Sequence, residues 1–260
     1  MNTPTIQFSD LLKQAITMPG IISKAYSAFH NFSIGNQQAA IGQCMARGLD
    51  IGPIATFKAW QDLGRCVTKG QKALTLCMPV TMKTTRKNEQ TGQDEIHSFN
   101  RFMWRNNWFV LSQTDGQDYQ HEVKTPAWCA DTALQNLGIN QVSFSETNGN
   151  CQGYAIDQSI AINPVAAFPH KTRFHELAHV VLGHTKEHMM TDSEQTPRDV
   201  REVQAESVAY ILCSILGLPG LDESRGYIQG WLSGADVQEK TAHQIFSTAD
   251  KILKAGQLSI

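Results

Sequence analysis

The sequence predicts an α+β protein of two domains, and three observations predict it. At 260 residues the chain is long enough for two modest hydrophobic cores, since domains typically run to about 100–150 residues. Its first half mixes helical periodicity with runs rich in Phe, Trp, Val and Thr, whereas its second half is mostly helical in pattern with one short hairpin. Between them, residues 114–126 are polar, contain Gly and Pro and follow no period, so the boundary is placed there and the domains span 1–120 and 126–260.

Taken in order, Phe8, Leu11, Leu12 and Ala15 recur at helical spacing, and a second helix covers 35–46 before the turn residues of 48–53. Segments 54–60, 73–82 and 98–112 read as strands, separated by turn signals at Lys69-Gly70 and over 88–92. These elements make a small α+β domain. Beyond the boundary, 127–137 reads as a helix closed by Gly138, and 153–164 as a hairpin turning at Asp157-Gln158. A helix follows at 172–182. The next is long, with Thr196 as N-cap, Pro197 at its first position, Gly217 closing it and Pro219 behind. Two more, near 222–233 and 237–255, complete a mostly helical domain with a small antiparallel sheet.

Composition narrows the function classes. With 41% hydrophobic and 18% charged residues the chain has an ordinary globular balance, and no apolar run approaches the roughly 18–20 residues that cross a bilayer. The N-terminus lacks a basic segment followed by an apolar stretch and a small-residue cleavage site, so the expected location is the cytoplasm. Six cysteines without a CxxC pair fit free thiols rather than a disulfide scaffold or a cysteine-bound structural zinc. The net charge of −2 conceals an asymmetry: residues 1–125 carry 13 Lys/Arg against 9 Asp/Glu, and residues 126–260 carry 9 against 15. Between Arg47 and Lys87 eight cations face two acids, a field suited either to a polyanion or to a solvated surface.

The second half contains His175-Glu176-Leu177-Ala178-His179, an HExxH pattern. Residues four apart share a helix face, so both imidazoles reach one ion and Glu176 projects beside it. A catalytic zinc takes three protein ligands and a water whose pKa it lowers, and a neighbouring carboxylate relays the proton. The apolar flanks Leu177, Ala178, Val180, Val181 and Leu182 argue for a packed helix rather than a chance match. His184 misses the HExxHxxGxxH spacing by one residue and falls beyond the helix end. The long helix offers Glu202 and Glu206 on one face ahead of a buried apolar run. Glu202 fits as third ligand and Glu206 as the carboxylate that orients a histidine ring. Zinc is the expected metal, with another divalent ion such as Mn2+ open. Tyr210, Tyr227, His184 and Arg173 remain alternatives for stabilising an oxyanion.

Taken together these residues resemble ArdC-type antirestriction proteins of conjugative plasmids. In the second half the resemblance is carried by His175 to His184 (HELAH followed by Gly-His), by Tyr154 to Pro164, by Arg201-Glu202-Val203-Gln204-Ala205-Glu206, and by Tyr227-Ile228 with Trp231-Leu232. In the first half it is carried by Asn36-Gln37, by Phe57 to Arg65, by Lys69-Gly70-Gln71-Lys72 and by Trp108 to Thr114. It implies a single-stranded-DNA-binding domain followed by a zincin-like metallopeptidase domain. Such a protein would protect incoming conjugative DNA in a bacterial cytoplasm, the recipient's included. Single strands are held by cationic grooves and by rings that stack on bases, so Arg47, Lys58, Arg65, Lys69 and Lys72 are expected to bind phosphates and Trp108 to stack. Phe57 and Trp104 are further aromatic candidates, while Trp60 falls at core spacing with Leu63. Expected partners are single-stranded DNA and a protein substrate, with no membrane. Two other functions fit the same residues: a non-enzymatic DNA shield with a structural metal, and a regulatory peptidase that cleaves a repressor.

Overall fold

Three helices open the chain. Helix α1 (Phe8–Thr17) buries Leu11, Leu12, Ala15 and Ile16, and α2 (Ile21–Phe29) buries Ile21, Ile22, Ala25, Tyr26 and Phe29, each a single apolar stripe of period 3.6. Helix α3 (Ile34–Arg47) follows. The computed structural model describes residues 7–29, 31–87, 94–119, 126–146, 150–189, 196–234 and 238–258.

Next come β1 (Ile54–Thr56), α4 (Phe57–Asp62), β2 (Arg65–Val67), the long strands β3 (Leu74–Lys87) and β4 (Asp94–Val110), and β5 (Thr114–Gly116). Strands β1, β4 and β3 form one antiparallel sheet in that order, and β2 pairs with β5 in a second. Residues 57–60, expected as strand, are helical instead. The Thr56 hydroxyl accepts from the Ala59 amide to start the turn, and the helix seats Trp60 in the core with its indole donating to the Phe109 carbonyl at 2.8 Å. Gln43 of α3 satisfies strand β3, its side-chain amide donating to the Thr75 carbonyl and accepting from the Thr75 amide at 2.8 and 2.9 Å.

The remaining elements are α5 (Ala130–Leu137), β6 (Asn140–Gln141), β7 (Gly153–Ile156), β8 (Ser159–Ile162), α6 (Pro169–Leu182), a 3-10 turn over His184–Met189, α7 (Arg198–Leu216), α8 (Leu221–Gly234) and α9 (Glu239–Gly256). Their sheet has the order β6-β8-β7, antiparallel between β7 and β8 and parallel between β6 and β8, which leaves β7 at the edge. Gly138, Gly183 and Gly217 close α5, α6 and α7 in the left-handed conformation. Nearly every residue from Val203 to Ile215 of α7 is buried, which makes it the central helix. The protein is thus α+β, with small sheets and a helical majority in its second half.

The chain divides into two units, one of Ala39–His121 and the other of Met1–Gln38 with Glu122–Ile260. The second of these units is discontinuous in sequence. Helices α1 and α2 belong with the C-terminal helices. Glu239 of α9 accepts hydrogen bonds from the Phe8 and Ser9 amides at 2.7 and 3.0 Å, capping α1, and Ser23 of α2 donates to the Ser214 carbonyl of α7. Chain order does not reveal this, because an amphipathic stripe shows that a helix needs a partner without saying which one. All six cysteines are free thiols, and no helix among the described residues is long and apolar enough to cross a membrane.

Candidate functional site

Helix α6 starts with Pro169 at its first position, and its one face presents Lys171, His175 and His179 at four-residue steps. Phe174, Leu177 and Ala178 are fully buried on other faces, with Phe174 edge-on to Trp128 at 4.8 Å, so the helix cannot rotate to move its histidines. The Nε2 atoms of His175 and His179 lie 3.1 Å apart, and Oε2 of Glu202 from α7 lies 3.4 and 3.8 Å from them. These three donor atoms fall within 4.8 Å of one another, and two imidazoles with one carboxylate form a donor set suited to a divalent ion such as zinc.

Each histidine is held from behind. The Nδ1 of His175 meets Oε2 of Glu206 at 3.0 Å, and the other Glu206 oxygen pairs with the Lys171 ammonium at 2.9 Å. Gly183 turns the chain after α6, at φ 85°, so that the next residue folds back beneath the helix. Nδ1 of His184 there lies 3.0 Å from Nδ1 of His179, and its Nε2 lies 3.1 Å from the Gln204 carbonyl oxygen. The Gln204 amide donates in turn to Gln244 at 3.1 Å. This order of donors fixes the tautomers: His184 gives its Nε2 proton to Gln204 and accepts on Nδ1 from His179, whose lone pair is left on Nε2 facing Glu202.

Glu176 is buried, at 8% exposure. Gly153 of the edge strand β7 passes directly over it, and a Cβ at that position would sit 2.7 Å from Thr172 Cγ2 and 3.2 Å from Glu176 Cγ, so only glycine permits the approach. Two cavities meet at Gly153, His175 and Glu176. One, of about 520 Å³, extends past Cys151, Phe168 and Lys171, and the other, of about 380 Å³, extends past His184, Arg198 and Arg201.

Burial opposes charge on His175, but its hydrogen bonds to Glu202 and Glu206 prevail and lift the imidazole to about 9. Burial and the charge on His175 push His179 down to about 3. Burial raises Glu176 to about 7 against the pull of His175, whereas hydrogen bonds from His175, Lys171 and Ser224 overcome burial and hold Glu206 at about 2. His175 is thus the charged ring of the pair and His179 the neutral one, and a metal at these donor atoms would displace the proton on His175 Nε2.

Of the oxyanion alternatives, His184 is engaged with His179 and Gln204, burial lowers the Arg173 guanidinium against the charge of Asp131, and Tyr210 is buried within α7. Tyr227 of α8 is half exposed, and the nearby Glu202 and Glu206 add to burial in raising its hydroxyl. Sequence reasoning did not single out Lys171, Gln204 or Gln244. The first had a signal, since it stands four residues before His175.

In the unit Ala39–His121 the expected phosphate and base contacts separate into two kinds. Lys58, Lys69 and Lys72 are exposed. Arg47 instead donates to the Lys72 and Ala73 carbonyls and to Gln43, and Arg65 donates to the Thr114 hydroxyl and carbonyl and to the Gln117 carbonyl, so both tie segments of their own unit together. Trp108, expected to stack on bases, is 8% exposed in the sheet between Thr56 and Leu74 and offers no face to a ligand. Phe57, by contrast, is 47% exposed.

Residues 13–133 match the family described as the N-terminal domain of anti-restriction factor ArdC. The whole fold is similar to that of the antirestriction ArdC protein from plasmid R388. The metal-free crystal structure of that protein aligns with a TM-score of 0.53 at 23% identity, covering 95% of this chain and 94% of that one. Its Mn(II)-bound structure aligns with a TM-score of 0.53 at 21% identity, covering 96% and 98%. A Bacillus anthracis relative, the uncharacterised protein pXO2-81, is 24% identical over 258 residues; the match covers 76% of this chain but only 42% of that protein's length.

Proposed function

We propose that this chain, which carries an ArdC N-terminal domain and shares the ArdC fold throughout, is an antirestriction protein that binds single-stranded DNA and uses a zinc-dependent peptidase site. His175, His179 and Glu202 hold the metal, and Glu176 is the general base. The observation that carries the peptidase reading is the buried Glu176 carboxylate beside three converging donor atoms, at the meeting point of two cavities. A structural zinc site has closed coordination and no use for a neighbouring base. When bound, the zinc would polarise a peptide carbonyl and acidify water.

The chain's own residues do the rest. Glu176, lifted towards neutrality by burial, takes a proton from water and returns it to the leaving amine. Glu206 and His184 fix the two rings, and Tyr227 is the oxyanion donor. The R388 protein's Mn(II)-bound structure supports a divalent ion in this fold, and the donor set of two imidazoles and a carboxylate favours zinc. Exposed Lys58, Lys69 and Lys72 support contact with phosphates.

The test compares wild type and Glu176→Gln, loaded with zinc or manganese, for metal content by mass spectrometry, thermal midpoint and hydrolysis of labelled casein. The variant is expected to keep its metal and midpoint while losing at least about 100-fold in rate, since a positioned acid–base group contributes about 10²–10⁴. Metal loss in the variant would make Glu176 a ligand. A metal-loaded wild type that leaves casein intact would favour the DNA shield.

A further inference from the structure

Strand β1 pairs only with residues 108–110 of β4, so the β3–β4 hairpin runs on as a two-stranded ribbon. Because directly paired residues share a face, the register places Phe99 with Met82, Arg101 with Val80, Met103 with Met78 and Arg105 with Leu76 on one side. The other side carries Phe102 with Pro79 and Trp104 with Cys77. Phe99 is 53% exposed and Phe102 is 70% exposed, and Arg101 and Arg105 are exposed as well.

The sequence of the two segments 74–85 and 98–110 contains Lys83, Arg101 and Arg105 and not one carboxylate. An open groove of about 600 Å³ lies nearer the base of the ribbon, lined by Met78, Val80 and Arg105 of this side together with Trp104 of the other and with Asn106 and Asn107. Singly exposed apolar side chains are ordinary on a protein surface, and Phe99 is set apart by the arginines on its own face. On the face of Phe99 the ring and its apolar neighbours Met82, Val80, Met103 and Met78 are interrupted by Arg101 and Arg105, so one face offers a ring for a base and guanidinium groups for phosphates.

We propose that the face of the β3–β4 ribbon bearing Phe99, Arg101 and Arg105 is the main contact for single-stranded nucleic acid, with Phe99 stacking on a base and the two arginines on flanking phosphates. This rests on the single-stranded-DNA reading above and moves the base contact from Trp108 to the ribbon. The substitutions lie at exposed positions, so the fold survives them, and thermal midpoints check this.

Binding of the full chain to fluorescent oligo(dT) is measured by anisotropy across a salt series. Phe99→Ala weakens binding about 5- to 100-fold at every salt concentration without changing the log–log slope, and Phe99→Trp restores it. Arg101→Gln with Arg105→Gln flattens the slope by about 1.4, since each phosphate contact on a single strand contributes about 0.7. Phe102→Ala, on the opposite face, changes binding little.

If the Phe99 and arginine variants bind like wild type while a Lys58, Lys69 and Lys72 triple alanine variant loses binding, the single-stranded-DNA reading stands and the ribbon proposal falls. A larger loss from Phe102→Ala than from Phe99→Ala likewise overturns it, as does equal affinity for duplex. If wild type does not bind oligo(dT) above background at about 50 mM salt, the DNA reading itself is wrong.

Discussion

The side chains around the cluster of His175, His179 and Glu202 and those of the β3–β4 ribbon stand at opposite ends of the burial scale. Glu176 and His184 are 8% and 7% exposed, whereas Phe99 and Phe102 are 53% and 70% exposed. The donor atoms of the cluster are locked by packing and by a second layer of hydrogen bonds running through Glu206, Lys171, Gln204 and Gln244, the support that a metal would require. The role proposed for the ribbon would need no such support, because stacking tolerates many bases and geometries. Substitutions in the first region therefore spread through neighbours, and those in the second act locally.

That contrast is sharpest at the two carboxylates of α7. Glu202→Ala removes a donor atom and is expected to weaken metal affinity well beyond the roughly 10–100-fold that loss of an orienting group costs, whereas Glu206→Ala should stay within that range. Titration with zinc against a competing chelator measures both. The reverse order would exchange their roles and break the picture of a ligand backed by a support.

The next test crosses the two regions. Trp108 lies inside the sheet of the unit Ala39–His121, so Trp108→Ala should destabilise the protein by about 3–5 kcal/mol, as large-to-small core changes do. Urea unfolding reads that change. At a salt and temperature where the variant is still folded, its oligo(dT) affinity should match wild type; a selective loss of binding with unchanged stability would restore Trp108 as the stacking ring.

The smallest effect is expected at His184. His184→Gln keeps a hydrogen-bonding group beneath His179 and should lower metal affinity by about 10-fold or less, while His184→Leu, which leaves the Nδ1–H of His179 unpaired, should cost about 10–100-fold. Equal affinities in both variants would show that the hydrogen-bond relay has no part in holding the ring.

The difference between the regions also explains what could be read in the sequence. The α6 histidines and the α7 glutamates were legible because four-residue spacing on a helix converts directly into a shared face. His184 was legible only as a ligand to reject: its role beneath His179 depends on the turn at Gly183, which spacing along a helix does not describe. On β4 the alternation of residues was legible but not which side was covered, since Trp108 and Phe99 belong to the same strand and only the short β1 pairing and the core beneath distinguish them. Arg47 and Arg65 read as phosphate contacts because composition records a cation without recording the carbonyls it ties together. The aromatic content of 54–60 favours a strand, which holds for Ile54–Thr56, and from Phe57 on Thr56 as a cap outweighs that preference.

The docking of α1 on α9 also sets an order on biosynthesis. The amides of Phe8 and Ser9 find their carboxylate in Glu239, 231 and 230 residues further along the chain. At about 5–20 residues per second the ribosome needs roughly 10–50 s to make that partner. During that interval the apolar stripe of Leu11, Leu12, Ala15 and Ile16 is finished but uncovered, while the unit Ala39–His121 already has its strands in hand. The first helices translated are thus among the last to be buried, and a nascent chain stalled before α9 would present that stripe to chaperones or to other chains.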